Sequence, residues 1–288
     1  MKAWTVMTAR VAALLLFVTG CKSTGVSRLS NFELEADAAA GPTPVILVFG
    51  GSWSCGQNAE QKPAPAIGNG VAPIAGIFEA VRQAVKAKNK SPSVDFISCY
   101  TADPTQVHYI LNATKSVQVK SGSVDGMFAE MRSMLAATAR PEVILIGHGY
   151  GGWMAMEFAR TLPPSLPIHL MVTLDPISMK TCTSDIMIHG TRGKNARSGC
   201  STSPKDFPSD DIMRISERTG NWLNYYQTSS VYLHSAAIED FGKVENIRMD
   251  YENSPDTLGG HLAFLIDGKL IGEIIDATLS ALSSPKGS

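Results

Sequence analysis

From Val143 to Gly152 the chain reads VILIGHGYGG, an apolar run that passes directly into a turn holding four glycines. Such a turn between a strand and a helix can bind an anion on the first N–H groups of the helix, but the lysine that completes a Walker nucleotide site is absent. Further along, Asp175 closes the apolar run Leu170 to Leu174, and His261 stands in the sequence Gly259-Gly260-His261-Leu262. A carboxylate and an imidazole are the groups that acid–base chemistry uses most often. Cys55, Cys99, Cys182 and Cys200 show no C-x-x-C spacing, so no metal site is expected, and no residue pattern calls for a cofactor.

The elements that must position these groups are legible as an alternation. Val45 to Phe49 form a continuous apolar run ending in Gly50 and Gly51, as a strand buried on both faces should. After a loop with Pro63 and Pro65, the residues Ile74, Ile77, Phe78, Val81 and Val85 stripe one face of a helix. Val94 to Ser98 suggest a second strand, and Met127, Phe128, Met131, Met134 and Leu135 stripe a second helix whose methionines are read as core. Val143 to Ile146, a helix over 150–162, and Ile168 to Leu174 continue the series. Strands alternating with helices predict an α/β fold with a mostly parallel sheet flanked by helices. Beyond Asp175 the pattern loosens into a segment rich in Ser, Thr, Lys and Arg, read as a lid-like insertion over 176–215. Asn224 to Ser229 and Glu245 to Met249 read as strands, and Leu262 to Leu282 holds the final helix. With no internal repeat and no second core, residues 43–288 are expected to form a single domain.

The turn Gly147-His148-Gly149-Tyr150-Gly151-Gly152 resembles the nucleophile elbow of α/β hydrolases, particularly the lipase and esterase forms reading G-H-S-x-G-G. Gly147, Gly151 and Gly152 match the family's glycines, while Gly149 stands where the family has its serine. The resemblance implies Asp175 as the acid, with Asp240 as the alternative at the later position, and His261 as the base before the last helix. It also implies an oxyanion site from Gly51, Ser52 and the Tyr150 backbone, in the loop that begins at Gly50. In that family the histidine takes the serine proton while the acid fixes the histidine tautomer. Loss of the nucleophile in such an enzyme costs about 10⁶ in turnover. Ser52 and Ser54 are the alternative nucleophiles, provided one reaches His261. His148 is expected to fill space behind the turn, the Tyr150 side chain to follow the elbow into the helix, and His108, His169, His189 and His234 to be surface or core residues.

Lys2 and Arg10 accompany the short apolar run Val11 to Val18, which has signal-peptide length and is too short to span a bilayer. Its end, Val18-Thr19-Gly20-Cys21, resembles the lipobox of bacterial lipoproteins. That resemblance implies a signal peptide over residues 1–20, a lipidated Cys21 and a tether over 21–42. It places the protein in the cell envelope, on the outer membrane or periplasmic face, held by a lipid anchor. The remaining four cysteines are then an even set in an oxidising compartment, where disulfides are expected. Of the three pairings, Cys55 with Cys99 and Cys182 with Cys200 is favoured, because the first two follow strands of one sheet and the last two bracket one loop.

The 288 residues are 44% hydrophobic and 18% charged with a net charge of −1, which excludes a disordered chain. Without a basic block or a nucleic-acid-reading motif, nucleic-acid binding is not expected. The expected function is an envelope lipoprotein with a lipase/esterase-like fold that binds a lipid or acyl-ester small molecule without classical serine catalysis. The alternatives are an ester or lipid hydrolase using a displaced serine or an activated water, and a non-catalytic interaction lipoprotein.

Overall fold

The computed structural model describes residues 41–51, 73–88, 94–100, 106–111, 120–178, 207–228, 235–239, 241–249, 251 and 259–283, within a compact unit spanning Ala39–Ser288. Its strands are β1 (Thr43–Gly50), β2 (Val94–Tyr100), β3 (Gln106–Leu111), β4 (Lys120–Ser123), β5 (Pro141–His148), β6 (Ile168–Leu174), β7 (Thr219–Tyr226) and β8 (Val244–Arg248). The helices are α1 (Pro73–Ala87), α2 (Val124–Ala137), α3 (Tyr150–Thr161), α4 (Ser209–Arg218), α5 (Gly259–Ala263) and α6 (Gly268–Ser283). The eight strands form one sheet in the order β4-β3-β2-β1-β5-β6-β7-β8. From β2 to β8 all neighbours are parallel, and β3 and β4 extend the β2 edge antiparallel.

The apolar runs of β1 and β5 are buried because their alternate side chains serve two cores. Val45, Leu47 and Phe49, with Val143 and Leu145, face a layer containing Met127, Phe128, Met131, Leu135, Met154 and Phe158 from α2 and α3. Ile46 and Val48, with Ile144 and Ile146, face the opposite layer, where Ile74, Ile77, Phe78, Val81 and Val85 of α1 meet Leu270 and Ile274 of α6. Each such side chain, fully buried, contributes roughly 1.5–3 kcal/mol. On the first face Phe49, Phe96 and Phe158 are joined by ring contacts of 5.6 and 5.9 Å.

Three features depart from the sequence expectation. The β3–β4 hairpin was not anticipated: β4 is Lys-Ser-Gly-Ser, and pairing with β3, not apolar alternation, makes it a strand. Residues 209–215, expected within the lid-like insertion, are the start of α4, which turns Ile212 and Ile215 into the core and leaves a charged outer face. β7 begins at Thr219 rather than Asn224; Gly220 and Asn221 are poor strand formers that parallel pairing with β6 keeps extended. Residues 179–206 lie outside the described residues.

Candidate functional site

Parallel strands deliver their C-terminal ends to one edge of the sheet, and open α/β sheets carry their sites there. At the end of β5 the backbone reverses through Gly149, at φ 58° and ψ −125°, directly into α3. The turn is pinned on several sides. Gly149 N–H donates to the Leu174 carbonyl at 3.0 Å, and its own carbonyl accepts from Gly152, Trp153 and Ile177 at 3.0–3.3 Å. Only glycine fits around it: a Cβ on Gly147 would stand 2.3 Å from the Gly151 oxygen, and one on Gly151 1.9 Å from the Phe49 oxygen.

Asp175 follows β6 with a left-handed backbone, φ 44°, its N–H donating to the Tyr225 carbonyl at 2.7 Å. Its carboxylate is fully buried. Oδ2 accepts from His261 Nδ1 at 2.7 Å and from Gln227 Nε2 at 2.9 Å, while Oδ1 accepts from the Ser235 N–H at 2.9 Å and, at 3.5 Å, from the Gln227 N–H. Burial alone would raise the pKa of Asp175, but these donors and the His261 charge outweigh it and hold the group below the usual carboxylate range. Asp175 is therefore the acceptor, Nδ1 of His261 carries its proton, and Nε2 is left as the second face of the ring.

That face points at the elbow. A Cβ on residue 149 would stand 2.9 Å from His261 Nε2 and 3.1 Å from Cε1, closer than side chains tolerate. The imidazole thus fills the space a side chain there would need. Behind it, His148 stacks on His261 with ring centroids 4.3 Å apart and donates from Nε2 to the His261 carbonyl at 2.8 Å. Burial, aided by the neighbouring His261 charge, pushes the pKa of His148 down to about 3, so its ring is neutral. Tyr150 is buried at the start of α3, and burial keeps its phenol protonated.

The structure brings Gly149, Asp175 and His261 together, with Tyr150 at the start of the adjoining helix and Gly51 just beyond β1. Ser52, Ser54, Asp240, Cys21, Cys55, Cys182 and Cys200 and the side chain of Cys99 lie outside the described residues. Sequence reading passed over Gln227, Ser235 and the anchoring bond of His148. The one signal for Gln227 was a polar residue directly after a strand, at the end of the sheet where sites form. Gly147, Gly149 and Gly152 also satisfy G-x-G-x-x-G, with Asp175 about 20 residues on, the spacing of a dinucleotide site. The geometry removes that reading, because both Asp175 oxygens are already engaged and His261 covers the turn. Among the described residues, no group of three or more His, Cys, Asp or Glu side chains is placed to hold a metal ion.

A cavity of about 1170 Å³ opens at the other end of the sheet, beside Ile168, His169 and Thr219. Of its basic residues, Arg218 donates to the Leu162 and Pro163 carbonyls and Lys243 to the Glu217 carbonyl, at helix ends, while Arg160 and Arg214 pair with Glu157 and Asp211.

The sheet order, the elbow after β5 and the flanking helices define an α/β-hydrolase-like fold. The sequence matches no family model and no curated protein. Among solved structures, the ydeN gene product from B. subtilis superposes with a TM-score of 0.43 at 10% identity, over 84% of this chain and 100% of that one. Est1E from Butyrivibrio proteoclasticus gives 0.39 at 10% identity, over 86% and 92% of the two chains. Paleococcus ferrophilus monoacylglycerol lipase gives 0.36 at 12% identity, over 82% and 96%.

Proposed function

We propose that the chain is an exported, lipid-anchored binding protein with a lipase/esterase-like fold, holding an acyl- or ester-bearing small molecule at its elbow without forming an acyl-enzyme. The observation that carries this reading is the 2.9 Å between His261 Nε2 and the place of a Cβ on residue 149. Acyl transfer through the elbow needs a side-chain nucleophile on that residue, and Gly149 has none. Incubation of the full-length protein with a fluorophosphonate probe should leave every serine unlabelled; stoichiometric labelling at Ser52, Ser54 or any other serine overturns the reading. Cys21→Ala should move the protein from the membrane fraction to the soluble periplasm, and unchanged membrane association would refute the anchor.

A second reading is favoured by the completeness of the Asp175–His261 pair. A histidine oriented by a buried carboxylate can draw a proton from water, which would hydrolyse an ester in one displacement. Ester turnover that disappears in His261→Ala, with the fold retained, supports this reading; turnover indifferent to that change refutes it.

A further inference from the structure

Thr173, Asn224 and Asn246 stand in one row across β6, β7 and β8, where parallel pairing sets Thr173 beside Asn224 and Asn224 beside Asn246. Thr173 and Asn224 are fully buried. Asparagine is depleted in strands and costly to bury unless its polar atoms are bonded. Here they are: Trp222 Nε1 donates to Thr173 Oγ1 at 3.1 Å, Thr173 Oγ1 to Asn224 Oδ1 at 2.9 Å, and Asn224 Nδ2 to Asn246 Oδ1 at 2.9 Å. Apolar residues of similar shape would fill this layer about as well, so the row has to be explained by what it holds.

What it holds is the segment 235–239, which has no regular secondary structure and, among the described residues, no backbone–backbone hydrogen bond. Asn246 stands in for a ladder partner: its Oδ1 accepts from the Ile238 N–H at 2.7 Å and its Nδ2 donates to the Ile238 carbonyl at 2.9 Å. Asn224 Nδ2 adds a bond to the Ala236 carbonyl at 3.1 Å. At the head of the segment the Ser235 N–H donates to Asp175 Oδ1 at 2.9 Å, whereas the Gln227 N–H stands 3.5 Å from the same oxygen. Ser235 is therefore the main hold on Oδ1, and Oδ2 lies 2.7 Å from His261 Nδ1. Given that Asp175 and His261 form the working part of the site, as read above, we propose that Asn246 is a positioning residue for it. Its amide clamp on Ile238 keeps the Ser235 N–H on the Asp175 carboxylate. Asn246 makes no hydrogen bond to Asp175 or His261 and acts through the segment.

Amide hydrogen exchange of the full-length protein, read by NMR, tests this with Asn246→Ala and with Leu135→Ala, a core truncation on α2 towards the opposite edge of the sheet. In Asn246→Ala the Ser235 amide should lose about 10- to 100-fold more protection than the Val172 amide of β6. In Leu135→Ala it should lose no more than Val172 does. Asn246→Thr, which withdraws the clamp but keeps a good strand former on β8, serves the same comparison if the alanine variant is too unstable to measure. Urea unfolding of Asn246→Ala, Asp175→Ala and the double variant supplies a readout that a merely structural role would not move. If Asn246 acts through Asp175, the folding constant of the double variant should exceed the product of the single effects by about 5- to 10-fold. Methyl octanoate, followed by titration calorimetry, should bind Asn246→Ala about 10-fold more weakly than wild type, and Leu135→Ala like wild type. Equal losses at Ser235 and Val172 in Asn246→Ala, a cycle without surplus, or unchanged methyl octanoate binding overturns the inference and leaves the binding reading standing. A wild-type protein that takes up no methyl octanoate counts against the binding reading instead, and the exchange and the cycle still decide the role of Asn246.

Discussion

Substituting Gly149→Ser restores the atom group an acyl-transfer site would need, and the structure sets what that should cost. The backbone at φ 58° and ψ −125° is open to glycine, whereas a side chain there carries about 1–3 kcal/mol of strain. The new Cβ would lie 2.9 Å from His261 Nε2. To reach ordinary contact the ring must give way by roughly half an ångström. It is held from two directions, by Asp175 at Nδ1 and by His148 at its carbonyl, so that retreat adds about another 1 kcal/mol. The expected loss is about 2–4 kcal/mol, or roughly 5–15 °C in Tm for a chain of this size. Gly149→Ala should lose the same amount, which separates strain from chemistry. If the ring settles with Nε2 facing the new hydroxyl, only the serine variant should be labelled by a fluorophosphonate and should hydrolyse p-nitrophenyl butyrate, at least about 10²-fold above wild type. Variants that melt with the wild type would show that residue 149 is not confined beside His261. A destabilised serine variant that stays unlabelled would show that Nε2 cannot serve a nucleophile at the elbow.

Three other outcomes follow from the same geometry. His148 has a folded-state pKa of about 3, below its ordinary 6.5, so the unfolded chain takes up the proton first and stability falls as pH drops from 6.5 towards 3. Between pH 7 and 4.5 this amounts to about 2–3 kcal/mol, and Asp175, whose pKa is also depressed, adds its loss only below its ordinary 3.8. Urea titrations at the two pH values should show a flatter profile in His148→Gln, and an unchanged profile would mean that this ring is not buried neutral. Gln227→Leu removes a donor 2.9 Å from the buried Asp175 carboxylate and should cost about 1–3 kcal/mol in urea unfolding; a neutral effect would detach Gln227 from the site. Gly151→Ala would drive a methyl group to 1.9 Å from the Phe49 oxygen and should cost more than about 3 kcal/mol, with soluble yield and Tm as the measures.

The central layers of the fold were legible because burial on both faces of a strand and on one face of a helix imposes periodicity. Val45 to Phe49, Val143 to Ile146 and the α1 stripe each display it. The elements missed are those held by partners rather than by their own pattern. β4 has no apolar residue, and α4 shows a charged face to the outside with only Ile212 and Ile215 as its inward hydrophobic positions. At the site, Gly149, Asp175 and His261 could be read because the elbow's spacing is local and the other two sit at element ends. Gln227 and the Ser235 N–H could not. Their role exists only because the end of β7 and residue 235 are folded against Asp175, 52 and 60 residues away in sequence. His148 was expected merely to fill space, and its bond to the His261 carbonyl spans 113 residues.

Retention of the elbow does not by itself argue for retained chemistry. Glycine adopts φ 58° freely, and the Gly149 carbonyl is fixed by three N–H groups whether or not a nucleophile is present. Packing of Gly147 and Gly151 against neighbouring backbone would preserve the turn in a protein with no reaction to perform. The acid differs. Asp175 is a non-glycine residue at φ 44° with a carboxylate wholly removed from water, a combination that costs stability. His261, Gln227 and Ser235 offset that cost with well-placed donors that satisfy both oxygens. The buried acid and the imidazole it orients towards the start of α3, rather than the glycine turn, are the physical reason to look for a ligand here.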